Sequence, residues 1–263
     1  MRYHCLYFCA LFAQPTWAME EAAPSDLTHV NLTRVEYDSI GGQGAAYYYH
    51  EGRVWQRWET DYPQAERNFA KRLGELTRLH AARKPIRRRL TDPDLGDYPF
   101  IFMSDVGYMR STEEEDLALR DYLENGGFLW ADDFWGDAEW ASFERFMRKV
   151  LPGNQWREVP VEHPIFHTVF EHDEMPQIPA ENFAGGPTTS EPPWFHRQPA
   201  GSLDVAMMRG YFDDDGRLMV IGTHNTDVAD GWEREAYGQY YFEHFSTKSY
   251  RLGVNVLTYV LSH

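Results

Sequence analysis

Two adjacent aspartates, Asp132 and Asp133, end the apolar run FLWA within the stretch GGFLWADDFWGD. A carboxylate at the end of a buried strand can orient a sugar hydroxyl, hold a cation or act as a general base. It can equally cap the following helix by accepting a backbone N–H. Because adjacent side chains point in different directions, we expect Asp132 to face a ligand and Asp133 to cap or support the backbone.

Polar residues also follow two other apolar runs. Asp105 comes after YPFIFM, His224 comes after LMVIG, and a glycine-rich loop at 41–44 comes after the first predicted strand. Parallel strands place their carboxyl ends, and the loops that follow them, at one edge of a sheet. We therefore expect Asp105 and His224 to join the aspartate pair in a binding crevice. Taken alone, His224 would be an ordinary loop histidine.

Aromatic side chains are frequent around these positions, and such rings serve both sugar stacking and ordinary cores. We assign Trp130 to the core and Trp232 to the ligand-binding residues. The other aromatic residues considered for stacking are Phe134, Trp135 and Tyr237.

A histidine cluster, HPIFH, lies at 163–167. Two histidines four residues apart share a helix face, a spacing that metal sites use, but Pro164 fits only a first helical turn. No glutamate follows His163, so the zinc-protease pattern is absent. We interpret this cluster as structural packing and assign no metal ligands and no cofactor.

Strand-like and helix-like patterns alternate along the chain. Apolar runs predict strands at 30–37, 86–90, 98–103, 128–131, 205–208 and 218–222. Helical periodicity and capping residues predict helices at 63–79, 113–123, 138–150 and 250–261, with irregular segments at 152–202 and 224–245. Alternation of this kind predicts an α/β fold with a parallel sheet covered by helices on both faces.

The first eighteen residues have the features of a signal peptide: Arg2, an apolar segment at 5–13 and a cleavage site after Ala18. Residues 19–29 are small and acidic and predict a linker before a single domain at 30–263. The two cysteines, Cys5 and Cys9, both lie in the predicted signal peptide. We therefore expect a periplasmic or secreted mature chain without a disulfide, a thiolate metal ligand or a cysteine nucleophile.

The net charge of the chain is −16, and it becomes −17 once Arg2 is removed. So acidic a chain is a poor partner for nucleic acid and for anionic membrane surfaces. No apolar run of about 18 residues follows the predicted signal peptide, so we expect no membrane span in the mature chain.

The stretches YPFIFMSDVGYMRSTEEEDLALRDYLENGGFLWADDFWGD, HPIFHTVF and YRLGVNVLTYVL together resemble the bacterial domain-of-unknown-function family 4159. This resemblance covers about residues 31–261. It implies a class I glutamine amidotransferase-like fold, with a flavodoxin-like parallel sheet between helices, similar to the trehalose-utilisation-type branch. Amidotransferases of this class carry a catalytic cysteine where this chain has the aspartate pair and Phe134. Glutaminase chemistry through a thioester is therefore excluded.

Two classes of function follow from these residues. The first is a binding module that lost its nucleophile and recognises a small polar, carbohydrate-like ligand or an envelope protein partner. The second is a carboxylate- or metal-dependent hydrolase acting on a carbohydrate or related substrate. A purely structural role would need no crevice. We favour the binding module, because adjacent aspartates do not by themselves supply two carboxylates at the separation that glycoside hydrolysis requires.

Overall fold

The structure is a computed structural model that describes residues 29–30, 32–50, 52–81, 84–180 and 205–263. The predicted signal peptide, and the predicted linker up to residue 28, lie outside the described residues. None of the helices in the described ranges combines the length and the apolar character that a membrane-spanning helix needs.

The elements alternate much as the sequence predicts. The strands are β1 His29–Val30, β2 Thr33–Val35, β3 Asp38–Ser39, β4 Tyr47–His50, β5 Arg53–Gln56, β6 His80–Ala81, β7 Ile86–Arg88, β8 Phe100–Ser104, β9 Met109–Arg110, β10 Phe128–Phe134, β11 Arg157–Glu158, β12 Met207–Phe212 and β13 Leu218–His224. The helices are α1 Gln64–Leu76, α2 Glu113–Glu124, α3 Gly136–Val150, α4 Val228–Glu233, α5 Gln239–Tyr241 and α6 Thr247–Ser262. Short 3-10 helices lie at Arg57–Glu59, Leu95–Asp97, Val106–Tyr108 and Pro164–Phe166, and a π-helical turn lies at Phe242–Ser246.

A seven-stranded sheet in the order β11-β12-β13-β10-β8-β2-β7 forms the centre of the fold. The strands from β13 to β7 are parallel, as expected. Counted from the β7 edge of the sheet, the parallel strands are β7, β2, β8, β10 and β13. Along the chain, these are the second, first, third, fourth and fifth of the parallel strands. Two strands depart from the expectation: β12 is antiparallel to β13, and β11 is antiparallel to β12. A tight turn at 213–217 joins β12 to β13, and such a turn connects only antiparallel strands.

Helices cover both faces of this sheet, and the side chains of β8 show why. Phe100 and Phe102 pack with α1, α4 and α6 on one face, whereas Ile101 and Met103 pack with α2 and α3 on the other. Successive strand residues point to opposite faces, so a strand that is covered on both sides is apolar throughout. The fold is therefore α/β, with a mostly parallel sheet between helices.

The prediction of an irregular segment at 224–245 is wrong, because this segment contains α4, α5 and the π-helical turn. Asp227 begins α4 by accepting the backbone N–H of Asp230 at 2.9 Å. Gly231 allows α4 to pack closely against α6, since a Cβ atom there would lie 2.5 Å from that of Ser249. A six-residue helix is too short to show an apolar stripe, which is why periodicity did not reveal it.

The HPIFH cluster forms a 3-10 helix that is braced from within. His163 accepts the backbone N–H of Ile165 through Nδ1, and His167 donates from Nε2 to the carbonyl of Val161 at 2.7 Å. Asn255 of α6 accepts two backbone N–H groups just after the cluster, at 169 and 170, at 3.0 and 2.8 Å. The contacts of HPIFH and of Asn255 are therefore structural, as the packing interpretation of HPIFH expects.

Candidate functional site

A cleft of about 550 Å³ opens at the carboxyl ends of β2, β8 and β10. The chain leaves β2 toward one side of the sheet and β8 toward the other, so this is a topological switch point, where open α/β sheets commonly bind ligands. The cleft is lined by Tyr48, Tyr49, His50, Arg57, Thr60, Asp61, Asp105, Tyr108, Asp133, Trp135, Glu139, Ala180, Asp227, Asp230 and Arg234.

Three aspartates of the cleft have left-handed backbone conformations. The φ angles are 65° at Asp61, 56° at Asp105 and 54° at Asp133. Within the described ranges, Asn225 is the other non-glycine residue with positive φ. Aspartate tolerates this region better than most residues, but the conformation still has a cost, and such residues cluster at binding and catalytic sites. Three aspartates of one cleft therefore share an uncommon backbone conformation.

Arg57 is the cation that neutralises Asp105. Its Nη1 donates to Oδ2 of Asp105 at 2.5 Å, and its Nε donates to the carbonyl of Ala45 at 2.6 Å. Its Nη2 donates to the carbonyl of Gly44. The glycine-rich loop at 41–44 is thereby tied to the end of β8. Arg57 begins a 3-10 helix rather than following a predicted strand, so the order of predicted elements gave no signal for it.

A second arginine, Arg34 of β2, fixes the turn that carries Asp61. Arg34 is fully buried, and its Nη1 donates to the carbonyls of Trp58 and Thr60 at 3.2 and 2.7 Å. Glu66 of α1 accepts from its Nε at 2.7 Å and balances its charge. Because the donors of Arg34 hold the backbone just before Asp61, this buried pair positions the carboxylate without entering the cleft.

The carboxylates of Asp61, Asp227 and Asp230 form a cluster at one end of the cleft. One oxygen atom from each lies within 4.8 Å of the others, and all three residues are buried. A Ca²⁺ ion takes oxygen ligands at about 2.3–2.6 Å, so oxygens on opposite sides of one ion lie about 5 Å apart. The chemistry and spacing of these carboxylates suit a hard divalent cation. No metal ligands were predicted from the sequence, because these residues come from two distant segments.

Crowding of these carboxylates disfavours their charged forms. Burial raises the pKa of Asp61 well above its ordinary value, and the charges of Glu233, Asp230 and Asp133 raise it further. The pKa values of Asp227 and Asp105 are likewise raised, first by burial and then by the charge of Asp133. A cation, or donors of hydrogen bonds, would relieve this mutual repulsion.

Glu139 of α3 is the glutamate of the cleft. Its Oε2 accepts the backbone N–H of Trp135 at 2.7 Å. Burial raises its pKa to about 7, with a further contribution from the charge of Asp133. Its side chain lies over Gly107, where a Cβ atom would approach the Cγ atom of Glu139 to 2.5 Å. A carboxyl group with a pKa near neutrality is the type that exchanges protons in catalysis.

The orientation expected for the aspartate pair is reversed. Asp132 is fully buried and does not line the cleft; its Oδ2 accepts the N–H of Ala229 in α4 at 2.9 Å, and its Oδ1 accepts the hydroxyl of Thr223. Asp133 lines the cleft, where the indole N–H of Trp135 donates to it at 2.9 Å. Asp132 lies on the face of β10 that α4 covers, whereas Asp133 has a left-handed backbone at an irregularity in the pairing of β10 with β13 and lines the cleft.

Two other predicted site residues do not line the cleft. His224 is buried, its Nε2 donates to the carbonyl of Gly136 at 3.0 Å, and burial lowers its pKa to about 4. Trp232 is only 2% exposed and packs on Phe69, with ring centroids 4.5 Å apart. Trp232 lies in α4 and faces the sheet, so it belongs to the core together with Trp130.

The structure thus brings Asp105 and Asp133 together, and it adds residues that sequence reasoning missed. The missed carboxylates are Asp61, Asp227, Asp230 and Glu139. A usable signal existed for Asp227 and Asp230, because an aspartate followed three residues later by another acid is an N-terminal capping pattern. No comparable signal marked Asp61.

Comparison with curated proteins gives no significant match for this chain. The model of a protein family described as a domain of unknown function (DUF4159) matches residues 33–261. The matched region begins at β2 and ends within α6, so it contains the central sheet and every residue that lines the cleft. By this match, the chain belongs to the DUF4159 family.

Proposed function

We propose that this protein is a binding module whose cleft takes a small polar, polyhydroxylated ligand of the carbohydrate type. The observation that carries the proposal is the placement of Asp61, Asp105 and Asp133 on left-handed backbone around one cleft at a switch point of the sheet. A carboxyl group accepts hydrogen bonds from hydroxyl groups in both its charged and its neutral form, and such a bond is stronger in a buried site because little water competes.

The aromatic lining of the cleft supports the same class of ligand. Tyr48, Tyr49, Tyr108 and Trp135 surround the carboxylates, and Tyr49 is 62% exposed. Aromatic rings offer an apolar face to the C–H groups of a sugar ring while carboxylates accept from its hydroxyls. A ligand with many negative charges does not fit, since the lining holds more acidic than basic residues.

Fold class and export belong to this proposal as well. The order of the parallel strands, second, first, third, fourth, fifth, is the order of flavodoxin-like sheets and supports a place among the amidotransferase-like folds. Asp133 would then occupy the turn where those enzymes carry their nucleophile.

We also propose that the mature chain acts in the periplasm or outside the cell, on the strength of its predicted signal peptide. An envelope protein partner stays the alternative ligand.

Isothermal titration with glucose, galactose and N-acetylglucosamine tests the binding proposal. We expect saturable binding of at least one of these sugars by the wild type. Asp133→Asn should weaken it about tenfold, because a neutral amide is a poorer acceptor than a carboxylate. Asp214→Asn, an exposed aspartate in the turn between β12 and β13, is the matched control and should bind normally. Equal loss of binding in both variants would reject a role for the cleft.

A second function, a hydrolase of the same class of ligand, is favoured by one specific observation. Glu139 lies in the cleft with a pKa of about 7, so it can hold a proton near neutral pH and donate it as a general acid. Release of p-nitrophenol from p-nitrophenyl glycosides separates the two functions. A hydrolase should release it and lose this activity in Glu139→Gln, whereas a binding module should release none.

A further inference from the structure

The strands β4 and β5 form a hairpin that is separate from the central sheet. In the described part of the chain they form a two-stranded sheet of their own, from Tyr47 opposite Gln56 to His50 opposite Arg53. The hairpin nevertheless contributes Tyr48, Tyr49 and His50 to the lining of the cleft. It therefore forms a wall of the candidate site without being part of the sheet that positions the carboxylates.

Polar contacts of described residues tie the hairpin and its flanking segments to the body of the protein. Arg57 binds the carbonyls of Gly44 and Ala45, just before β4, and reaches across to Asp105 at the end of β8. The hydroxyls of Tyr48 and Thr60 lie 3.1 Å apart, and Arg53 of β5 pairs with Glu59 of the adjoining 3-10 helix at 3.3 Å. The guanidinium group of Arg57 also lies 5.4 Å from the ring centre of Tyr48. Through Arg57, the ion pair with Asp105 thus connects the segment just before β4 to the end of β8.

The chain on either side of the hairpin is fixed, and the joint between them is rich in glycine. Before it, Ile40 donates its N–H to the carbonyl of Tyr108 at 3.0 Å, next to the pairing of β3 with β9. After it, Arg34 holds the carbonyls of Trp58 and Thr60. Between Ile40 and β4, the glycines at 41 and 44 have φ angles of 97° and 85°. Glycine adopts such angles freely, so this segment can act as a hinge.

We propose that the hairpin of β4 and β5 is a lid on the cleft, and that the Arg57–Asp105 ion pair is the latch that holds it closed. When the latch opens, the hairpin turns about the glycine-rich segment and the cleft admits its ligand. The identity of the ligand as a polar molecule rests on the proposed function. The motion itself does not.

General energetics favour a lid at this place. A two-stranded hairpin is only marginally stable alone, so its position depends on the contacts that attach it. Segments of low local stability open in the native state far more often than the core does. Closure would also exclude water from the buried carboxylates, which strengthens their hydrogen bonds to a bound ligand.

Hydrogen–deuterium exchange of the ligand-free protein tests the lid directly. In Arg57→Gln we expect the amides of 47–50 and 53–56 to exchange about tenfold faster, because a charge-assisted hydrogen bond is lost. The amides of α6 should exchange at the wild-type rate. Arg53→Gln is the matched control: Arg53 lies on the same hairpin with 47% of its side chain exposed, stacks on Trp55 and pairs with Glu59 of the adjoining 3-10 helix rather than with a residue of the central sheet, so its variant should leave the exchange of β4 unchanged.

Tyr48→Phe is the second variant, since it removes the hydroxyl contact to Thr60 but leaves the ion pair in place. It should raise the exchange of the same amides several-fold. If Arg57→Gln speeds exchange in α6 as well, that variant has lost global stability and Tyr48→Phe alone decides. The lid proposal would be overturned if the hairpin amides exchanged at the wild-type rate in Tyr48→Phe and also in an Arg57→Gln protein that keeps its global stability. Failure of sugar binding in the titration would reject the ligand class but leave these exchange results intact.

Discussion

The carboxylate of Asp132 accepts the backbone N–H of Ala229 at 2.9 Å and so caps α4 from within the sheet. Asp227 caps the same helix by accepting the N–H of Asp230. Two carboxylates therefore satisfy the free N–H groups at the beginning of one short helix, where the helix dipole also favours negative charge. Asp227 and Asp230 reach the cleft from this helix, so Asp132 supports the site from behind.

Asp132→Ala should destabilise the protein, whereas Asp133→Asn should not. The first variant leaves the N–H of Ala229 without a buried acceptor and leaves the hydroxyl of Thr223 only the carbonyl of Ala131, at a cost of about 1–3 kcal/mol. The second removes one charge from a crowded cleft, while its amide oxygen can still accept from Trp135, so stability should be unchanged or about 0.5–1 kcal/mol higher. Urea unfolding measures both. A large loss in Asp133→Asn with none in Asp132→Ala would restore the opposite assignment.

The stability of the wild type relative to Glu139→Gln should fall as the pH rises from about 4 to about 7. Burial raises the folded-state pKa of Glu139 to about 7, above the value near 4.3 of an unfolded chain. Below this window both states hold the proton; within it the unfolded state loses the proton first, which favours unfolding. The difference should reach about 1–2 kcal/mol at pH 7.5, allowing for solvent screening. Urea unfolding of both proteins at pH 4.5, 6 and 7.5 measures this difference. Titration of the buried histidines affects both proteins equally, so it cancels in the comparison.

Ca²⁺ or Mg²⁺ at millimolar concentration should raise the melting temperature of the wild type at pH 7.5. Asp61, Asp227 and Asp230 place oxygen atoms within 4.8 Å of one another, so a divalent cation would relieve their repulsion. Asp61→Asn should reduce the rise by more than half, while Asp214→Asn keeps it. An equal rise with all three proteins would indicate only general screening of a highly acidic chain.

Glutamine should not be hydrolysed by this protein. Both cysteines, at positions 5 and 9, lie in the predicted signal peptide, so removal of that segment leaves no thiol and closes the thioester route. In the proposed amidotransferase-like fold, Asp133 would stand at the turn that carries the nucleophile. A coupled ammonia assay with millimolar glutamine should give the rate of the blank. Release of ammonia that is lost in Asp133→Asn would show a different glutaminase mechanism and contradict us.

The chain isolated from its native host should begin at Met19. The short apolar segment at 5–13 and the cleavage site after Ala18 motivate this prediction. N-terminal sequencing of the purified protein, with cell fractionation as the companion measurement, would test it. Recovery of a chain that keeps Met1 in the cytoplasmic fraction would refute export.

The sequence predicted the sheet well because continuous apolar runs identify strands that are covered on both faces. The runs ending at Met103, Ala131 and Gly222 became β8, β10 and β13, and their carboxyl ends meet at one edge of the sheet. Predictions from the sequence failed where the answer depended on the position of a second structural element. Whether Asp132 or Asp133 faces the cleft depends on which face α4 covers, and the short helix α4 was not predicted.

The same limit explains the candidate site. Asp105 was found because it ends a recognisable strand, and Trp232 was misplaced because its segment appeared to be a loop. Arg57 and Asp61 follow a hairpin that the sequence did not indicate, so nothing in their local pattern connected them with Asp105. Strand ends are thus predictable from a single sequence, whereas the residues that loops bring to them are not.

The contact between Gly107 and Glu139 gives an engineer a way to move a carboxylate without altering its chemistry. A methyl group at position 107 would occupy the space of the glutamate side chain, since the two carbon atoms would lie 2.5 Å apart. Gly107→Ala should therefore displace the side chain of Glu139 while leaving its carboxyl group chemically unchanged. Comparing it with Glu139→Gln would separate what the position of this acid contributes from what its proton contributes.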